Sequence, residues 1–157
     1  MQVTNIPDER KAILIGQKGQ DKKRIEKATK TKIVIGDSVT IEGDPLACLK
    51  AGEIIKAVGR GFSPRAALWL AKDDIVLIII PLDGSAKTIK RLMGRVIGSQ
   101  GKAKEYIEEN TNTKLSVYGK TVSIIGEYKD AEVAEKSVKI LLAGKTHKYA
   151  YSHLNKK

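Results

Sequence analysis

Ile13-Leu14-Ile15-Gly16-Gln17-Lys18-Gly19 and Val96-Ile97-Gly98-Ser99-Gln100-Gly101 are two versions of one phrase: an apolar run closing on isoleucine, then Gly-x-x-Gly. The frame continues in both copies. Ile25 answers to Ile107, and Thr29-Lys30-Thr31-Lys32-Ile33 to Thr111-Asn112-Thr113-Lys114-Leu115. One such tetrapeptide carries little information. Two in a shared frame describe a duplicated module whose glycine turn leaves its backbone open to close approach.

Working outward, Gln2 to Ile6 reads as a strand ended by Pro7, and Asp8-Glu9 open a helix that runs into the first turn. Gln20 to Thr29 reads as a second helix. Thr31–Ile35 and Val39–Ile41 alternate about Gly36-Asp37 as a hairpin, and Asp44-Pro45 start a long third helix. The second copy repeats the order: a strand Ile75–Pro81, apolar enough for burial on both faces, a basic helix Ser85–Ile97, and a helix Lys102–Asn110. A hairpin turning at Tyr118-Gly119-Lys120 and a helix Ala131–Leu142 follow. The fold class is α+β, with three antiparallel strands and helices on one face of each module. The boundaries predicted are 1–61 for the first module, 62–73 for a helical linker, 74–145 for the second module and 146–157 for a basic tail. Ala66, Ala67, Leu68, Trp69 and Leu70 are too apolar for a solvated linker, so that helix is expected to pack on one or both modules and fix their orientation.

The 157 residues, 41% of them hydrophobic, suit two small cores and argue against wholesale disorder. The longest apolar run, Ile75–Leu82, is strand-sized rather than bilayer-sized, and Met1–Lys11 has no apolar stretch of the secretory kind. A single cysteine, Cys48, excludes an intrachain disulfide and fits a reducing cytosol. A net charge of +11 points to a polyanionic partner.

A helix, a glycine turn and a second helix present free N–H groups on a bare backbone surface, where phosphate is favoured. Lys87, Lys90, Arg91, Arg95, Lys102 and Lys104 surround the second turn, with no acid between 85 and 104. Around the first turn Lys18, Lys22, Lys23 and Arg24 are interrupted by Asp21 and preceded by Asp8 and Glu9. Charge therefore favours the second module. A dinucleotide fingerprint and a P-loop both require glycine spacings that are not here.

With these residues in view, the chain resembles the KH domain of type I, whose Gly-x-x-Gly loop clamps about four nucleotides of single-stranded nucleic acid. An aromatic content of 4% leaves little for the stacking platforms of RRM or OB-fold readers. The resemblance implies an aliphatic groove floor, for which Ile25, Ile33, Ile107 and Leu115 are the candidates. It also implies RNA contacts at Gly16, Gln17, Lys18, Gly19, Lys22, Arg91, Arg95, Gly98, Ser99, Gln100, Gly101, Lys102 and Lys104. KH loops commonly hold a basic residue between the glycines. Lys18 supplies it in the first copy, whereas the second has Ser99-Gln100.

The tandem pair, the segment 55–64 and Lys114-Leu115-Ser116-Val117-Tyr118-Gly119-Lys120-Thr121 are similar to the archaeal members of the partner-of-Nob family. That resemblance implies binding near the 3′ end of small-subunit rRNA and cooperation with the endonuclease that matures this end. Contact with the alpha subunit of translation initiation factor 2 is implied as well. The alternative is a protein–protein adaptor with one groove vestigial. No catalytic set, cofactor or metal site is expected. Cys48 reads as a small core residue, and His147 and His153 lack a matching ligand cluster. Tyr149 and Tyr151 in the tail could serve RNA, a partner or neither.

Overall fold

The computed structural model describes residues 1–154; residues 155–157 of the predicted tail lie outside the described residues. The chain divides into two compact units, Met1–Ile75 and Val76–Lys157.

In the first unit β1 (Gln2–Thr4) leads to α1 (Asp8–Ile15), the glycine turn, and α2 (Gln20–Thr29). The hairpin β2 (Lys32–Ile35) and β3 (Val39–Glu42), α3 (Pro45–Gly59) and a short α4 (Pro64–Ala67) follow, the last continuing as a 3-10 turn through Ala71. The second unit runs β4 (Ile75–Pro81), α5 (Ala86–Ile97), α6 (Lys102–Thr111), β5 (Lys114–Tyr118), β6 (Thr121–Glu127), α7 (Tyr128–Leu142) and α8 (His147–Ser152). The strand orders are β1-β3-β2 and β4-β6-β5, so the last strand of each hairpin is central. The hairpins pair antiparallel, Ile33 opposite Ile41 and Leu115 opposite Ile124. Alternate residues of these strands face the helices, which is why Ile33, Ile41, Leu115 and Ile124 are buried together with Leu14, Ile25, Ile54 and Val96.

The helix starts are written locally. Asp44 accepts the Leu46 N–H with Pro45 at the first helical position, and Ser85 accepts the Thr88 N–H. The ends of α2 and α6 are built alike. Thr29 Oγ1 donates to the Ile25 carbonyl at 2.7 Å and Thr111 Oγ1 to the Ile107 carbonyl at 2.6 Å, and each threonine meets a second one, Thr31 or Thr113, at 2.7 Å. Lys30 and Asn112 then cap these helices in the left-handed region.

One expectation changes. Val76 to Ile79 of β4 are only half-buried, because β4 is an edge strand of its sheet. The apolar helix between the modules packs on α2 and α3 of the first unit, and α8 packs on α7 of the second. They are the same element of two copies. Ser63 caps α4 through the Ala66 N–H, and Thr146 caps α8 through the Tyr149 N–H. Ala67 and Ala150 are both fully buried. The approach is also shared: Phe62 N–H donates to the Ala57 carbonyl in one unit and Lys145 N–H to the Ile140 carbonyl in the other.

Candidate nucleic-acid interface

The glycines of each turn do different work. A Cβ on Gly16 would stand 2.2 Å from Asp21 Oδ2, and one on Gly98 would stand 2.5 Å from Ala103 Cβ and 2.8 Å from its nitrogen. The first glycine is thus demanded by the chain's own following helix. Gly19 and Gly101, both at φ +74, face open space. In each turn the second glycine is the one at which an added Cβ would meet nothing. Between the glycines, Lys18 (φ 54) and Gln100 (φ 55) sit in the left-handed region, a conformation costing about 1–3 kcal/mol for a residue with a side chain. Both copies hold it, so the helices on either side impose the shape. Gln17, Lys18, Ser99 and Gln100 are all exposed at the tip. Neither α2 nor α6 has a side-chain cap, which leaves the first-turn N–H groups available to an anion.

The electrostatics separate the two units. Asp21, the second residue of α2, lies against the first turn and pairs with Arg24 at 3.3 Å. Its carboxylate already complements the partial positive charge of that helix end. Ala103 occupies the same place in α6 and is buried. Asp8, which starts α1, is held below the usual carboxylate range by a hydrogen bond and ion pair with Lys11. At the second turn Arg91 and Lys102 are exposed and make no ion pair among the described residues, and the same holds for Lys87 and Lys90 earlier on α5.

Three groups of predicted site residues are placed elsewhere. Ile25 and Ile107 are fully sealed in the core, beside Ile33 and Leu115, so they anchor their helices and offer no groove floor. Ile13 and Ile15, by contrast, are exposed near the first turn, and Ile97 is half-buried at the second. Lys22 pairs with Glu26 at 3.8 Å and Lys104 with Glu108 at 3.2 Å. Each glutamate also accepts a strand N–H, from Ile33 at 2.8 Å or Leu115 at 2.9 Å, so these lysines are tied to a brace between helix and hairpin.

The Arg95 guanidinium is engaged by main-chain carbonyls. Its Nε donates to the Leu141 carbonyl at 2.8 Å and its Nη2 donates to the Lys145 carbonyl, closing the C-terminal end of α7. Arg10 does the same in the first unit with the Val58 and Phe62 carbonyls, both at 2.8 Å. One guanidinium thus ties the last turn of a helix to the segment that follows it.

Sequence reasoning also missed residues that do stand at the site. His147 and Tyr151 of α8 lie beside Gly98, Ser99 and Lys102. Tyr151 packs on Tyr106 with ring centroids 4.2 Å apart, and burial pushes its hydroxyl above the ordinary tyrosine range. The signal available was the match between Ser63 and Thr146, which identifies α8 as part of the second module.

Two units that each place an exposed Gly-x-x-Gly turn between two helices, over a three-stranded antiparallel sheet, define a tandem type I KH protein. A KH domain model matches residues 1–57, and a model of the eukaryotic type KH-domain (KH-domain type I) matches residues 76–157. A KH domain-containing protein of Methanocaldococcus jannaschii is 43% identical over 99% of this chain and 73% of its own length. The crystal structure of Dim2p from Pyrococcus horikoshii superposes with a TM-score of 0.91 at 42% identity, covering 99% of this chain and 98% of that one. The Dim2p chain in a complex of a/eIF2alpha, aDim2p and rRNA from the same organism gives 0.89 at 41% identity, covering 98% of this chain and 90% of that one. The RNA-binding protein pno1 of Dictyostelium discoideum is 27% identical over 85% of this chain, which spans 58% of that protein. The chain belongs to the partner-of-Nob family of tandem type I KH proteins. Among the described residues no helix is long and apolar enough to cross a membrane.

Proposed function

We propose that this chain is a non-catalytic RNA-binding protein that holds a short single-stranded segment near the 3′ end of small-subunit rRNA during its maturation, with the second unit as the principal clamp. One observation carries the reading. Gly101 exposes bare backbone at the uncapped start of α6, near Arg91 and Lys102, which make no ion pair among the described residues, with Ala103 where the first unit has Asp21. The relatives support the substrate class: pno1 proteins are named as RNA-binding and pre-rRNA-processing, and Pyrococcus Dim2p forms a complex with rRNA. Phosphates of the clamped segment would meet the free N–H groups of the first turn of α6. The decisive experiment replaces Ser99 and Gln100 together by Asp and titrates labelled single-stranded RNA by anisotropy. Loss of most of the affinity with the thermal transition kept is expected, and unchanged affinity would refute the clamp.

The first unit favours a second role. Val3, Leu46 and Leu49 are exposed around a groove of about 820 Å³ between β1 and α3. This groove suits a protein partner better than RNA, and the initiation-factor alpha subunit in the Pyrococcus complex supplies the candidate. Cooperation with the rRNA endonuclease belongs to the same reading. Nuclease-treated protein should still bind the alpha subunit, and Leu46→Glu with Leu49→Glu should weaken that binding. Binding that depends on RNA would count against this division of labour.

A further inference from the structure

Beside the second glycine turn, α5, the start of α6 and α8 enclose a cleft of about 480 Å³. Arg91, Ser99, Lys102, His147 and Tyr151 line it, with Arg95 at its back. The back wall is fixed. The Arg95 guanidinium is bound to the end of α7, and its own carbonyl lies 3.0 Å from His147 Nε2. A carbonyl only accepts, so Nε2 carries the proton, and Nδ1 is the remaining polar atom of the ring. Tyr151 is braced by Tyr106, and His147 meets it edge-on at 6.0 Å. Tyr151 stays half-buried rather than sealed, whereas Arg91 and Lys102 are exposed with no ion pair among the described residues.

The first unit provides an internal comparison on the same backbone plan. Where the second has Arg91, Lys102, His147 and Tyr151, the first has Glu9, Gln20, Pro64 and Leu68. Docking the short terminal helix therefore requires neither the cations nor the ring. Both charge and aromaticity were placed on one copy only, around the same turn that exposes Gly101.

We propose that this cleft is a nucleotide subsite outside the groove for four nucleotides: it takes one further nucleotide of the same RNA strand, with its phosphate between Arg91 and Lys102 and its base against Tyr151. The proposal rests on the reading of the second glycine turn as an RNA clamp. A guanidinium and an ammonium at the mouth suit a phosphodiester, and an aromatic ring accepts any base through its π-face. A free inorganic anion would use the cations and gain nothing from the ring.

The test uses the full chain and two fluorescein-labelled RNAs: the 3′-terminal eight nucleotides of small-subunit rRNA, and the tightest-binding tetranucleotide within them. Tyr151→Leu, which installs the first unit's residue, should weaken octamer binding about 10-fold and leave the tetranucleotide unchanged, whereas Tyr151→Phe should retain octamer affinity. Arg91→Glu, at an exposed position outside the packing, should weaken the octamer by at least as much, and it decides the matter if Tyr151→Leu shifts the urea transition. Equal effects of Tyr151→Leu on both lengths, or an octamer unmoved by both substitutions, would overturn the subsite. The clamp reading fails separately, if the Asp substitutions at Ser99 and Gln100 leave both RNAs bound. Should those remove binding while Tyr151→Leu and Arg91→Glu change nothing that is specific to the octamer, only the subsite falls.

Discussion

Asp21 and Ala103 occupy the same position, the second residue of the helix behind each glycine turn, so one unit sets a carboxylate against its helix N-terminus and the other a methyl group. A carboxylate there stabilises the helix and competes with a phosphate for the same N–H groups. Ala103→Asp should therefore lower RNA affinity about 3- to 10-fold, in line with roughly 1 kcal/mol for a charge at a helix end, while Asp21→Ala raises that of the first unit. Titrations at low and high salt read both. Equal affinities for the two variants and the parent chain would remove this explanation of the asymmetry.

The two glycines of the second turn should fail differently. Gly98→Ala drives a Cβ into the Ala103 backbone and should broaden or lower the thermal transition. Gly101→Ala meets open space and loses only the ease of a positive φ, about 1 kcal/mol, yet obstructs the ligand's approach. Melting curves paired with RNA titrations distinguish the two. Identical behaviour of both variants would contradict the division of labour.

Arg95→Ala should cost about 1.5–3 kcal/mol of stability in urea, the range for hydrogen bonds from a charged donor, because the Leu141 carbonyl of α7 and the Lys145 carbonyl beyond it lose their partner. The dependence of RNA affinity on salt should keep its slope, since no phosphate contact is lost. Arg95→Lys should not restore stability, because an ammonium cannot span two carbonyls as a guanidinium fork does. A slope reduced by about 0.7 would return Arg95 to the phosphate-binding set.

Glu108→Ala leaves the Leu115 N–H without its acceptor and should destabilise the second unit by about 1–3 kcal/mol. It also releases Lys104. RNA affinity at temperatures well below the transition should hold or rise slightly. A fall matched to the loss of stability would show the brace and the binding surface to be one cooperative element.

Burial raises the Tyr151 hydroxyl, with Tyr106 adding to the effect. A folded-state value above the unfolded one means the neutral phenol stabilises the fold below the ordinary tyrosine range, and this contribution disappears as pH rises through the folded value. Stability should fall on the alkaline side, and Tyr151→Phe should flatten that fall. Ultraviolet difference titration should show the most alkaline tyrosine step missing in the variant. Retention of the step would assign it elsewhere.

Much of the fold was legible because its signals are local: the paired turns, the alternation at Ile33 and Ile41, the caps at Asp44 and Ser85. The site was legible at the turns and illegible around them. Arg95 looks like a phosphate contact on a basic helix, but its partners are carbonyls at the far end of another helix, and no spacing rule reports those. Ile25 and Ile107 sit on charged helices whose burial depends on hairpins that form later in the chain. The kinship of α4 with α8 was hidden because Pro64-Arg65-Ala66 and His147-Lys148-Tyr149 share almost no side chains. Only the serine and threonine caps and one buried alanine repeat.

The central claim is that the second glycine turn holds the RNA strand. Ultraviolet crosslinking of the full chain to single-stranded RNA from the 3′ end of small-subunit rRNA, followed by mass-spectrometric mapping of the modified peptides, tests it most directly. Crosslinks concentrated between residues 91 and 104 are the predicted result. Crosslinks centred on residues 16–24, or on α3, with none at the second turn, would contradict it.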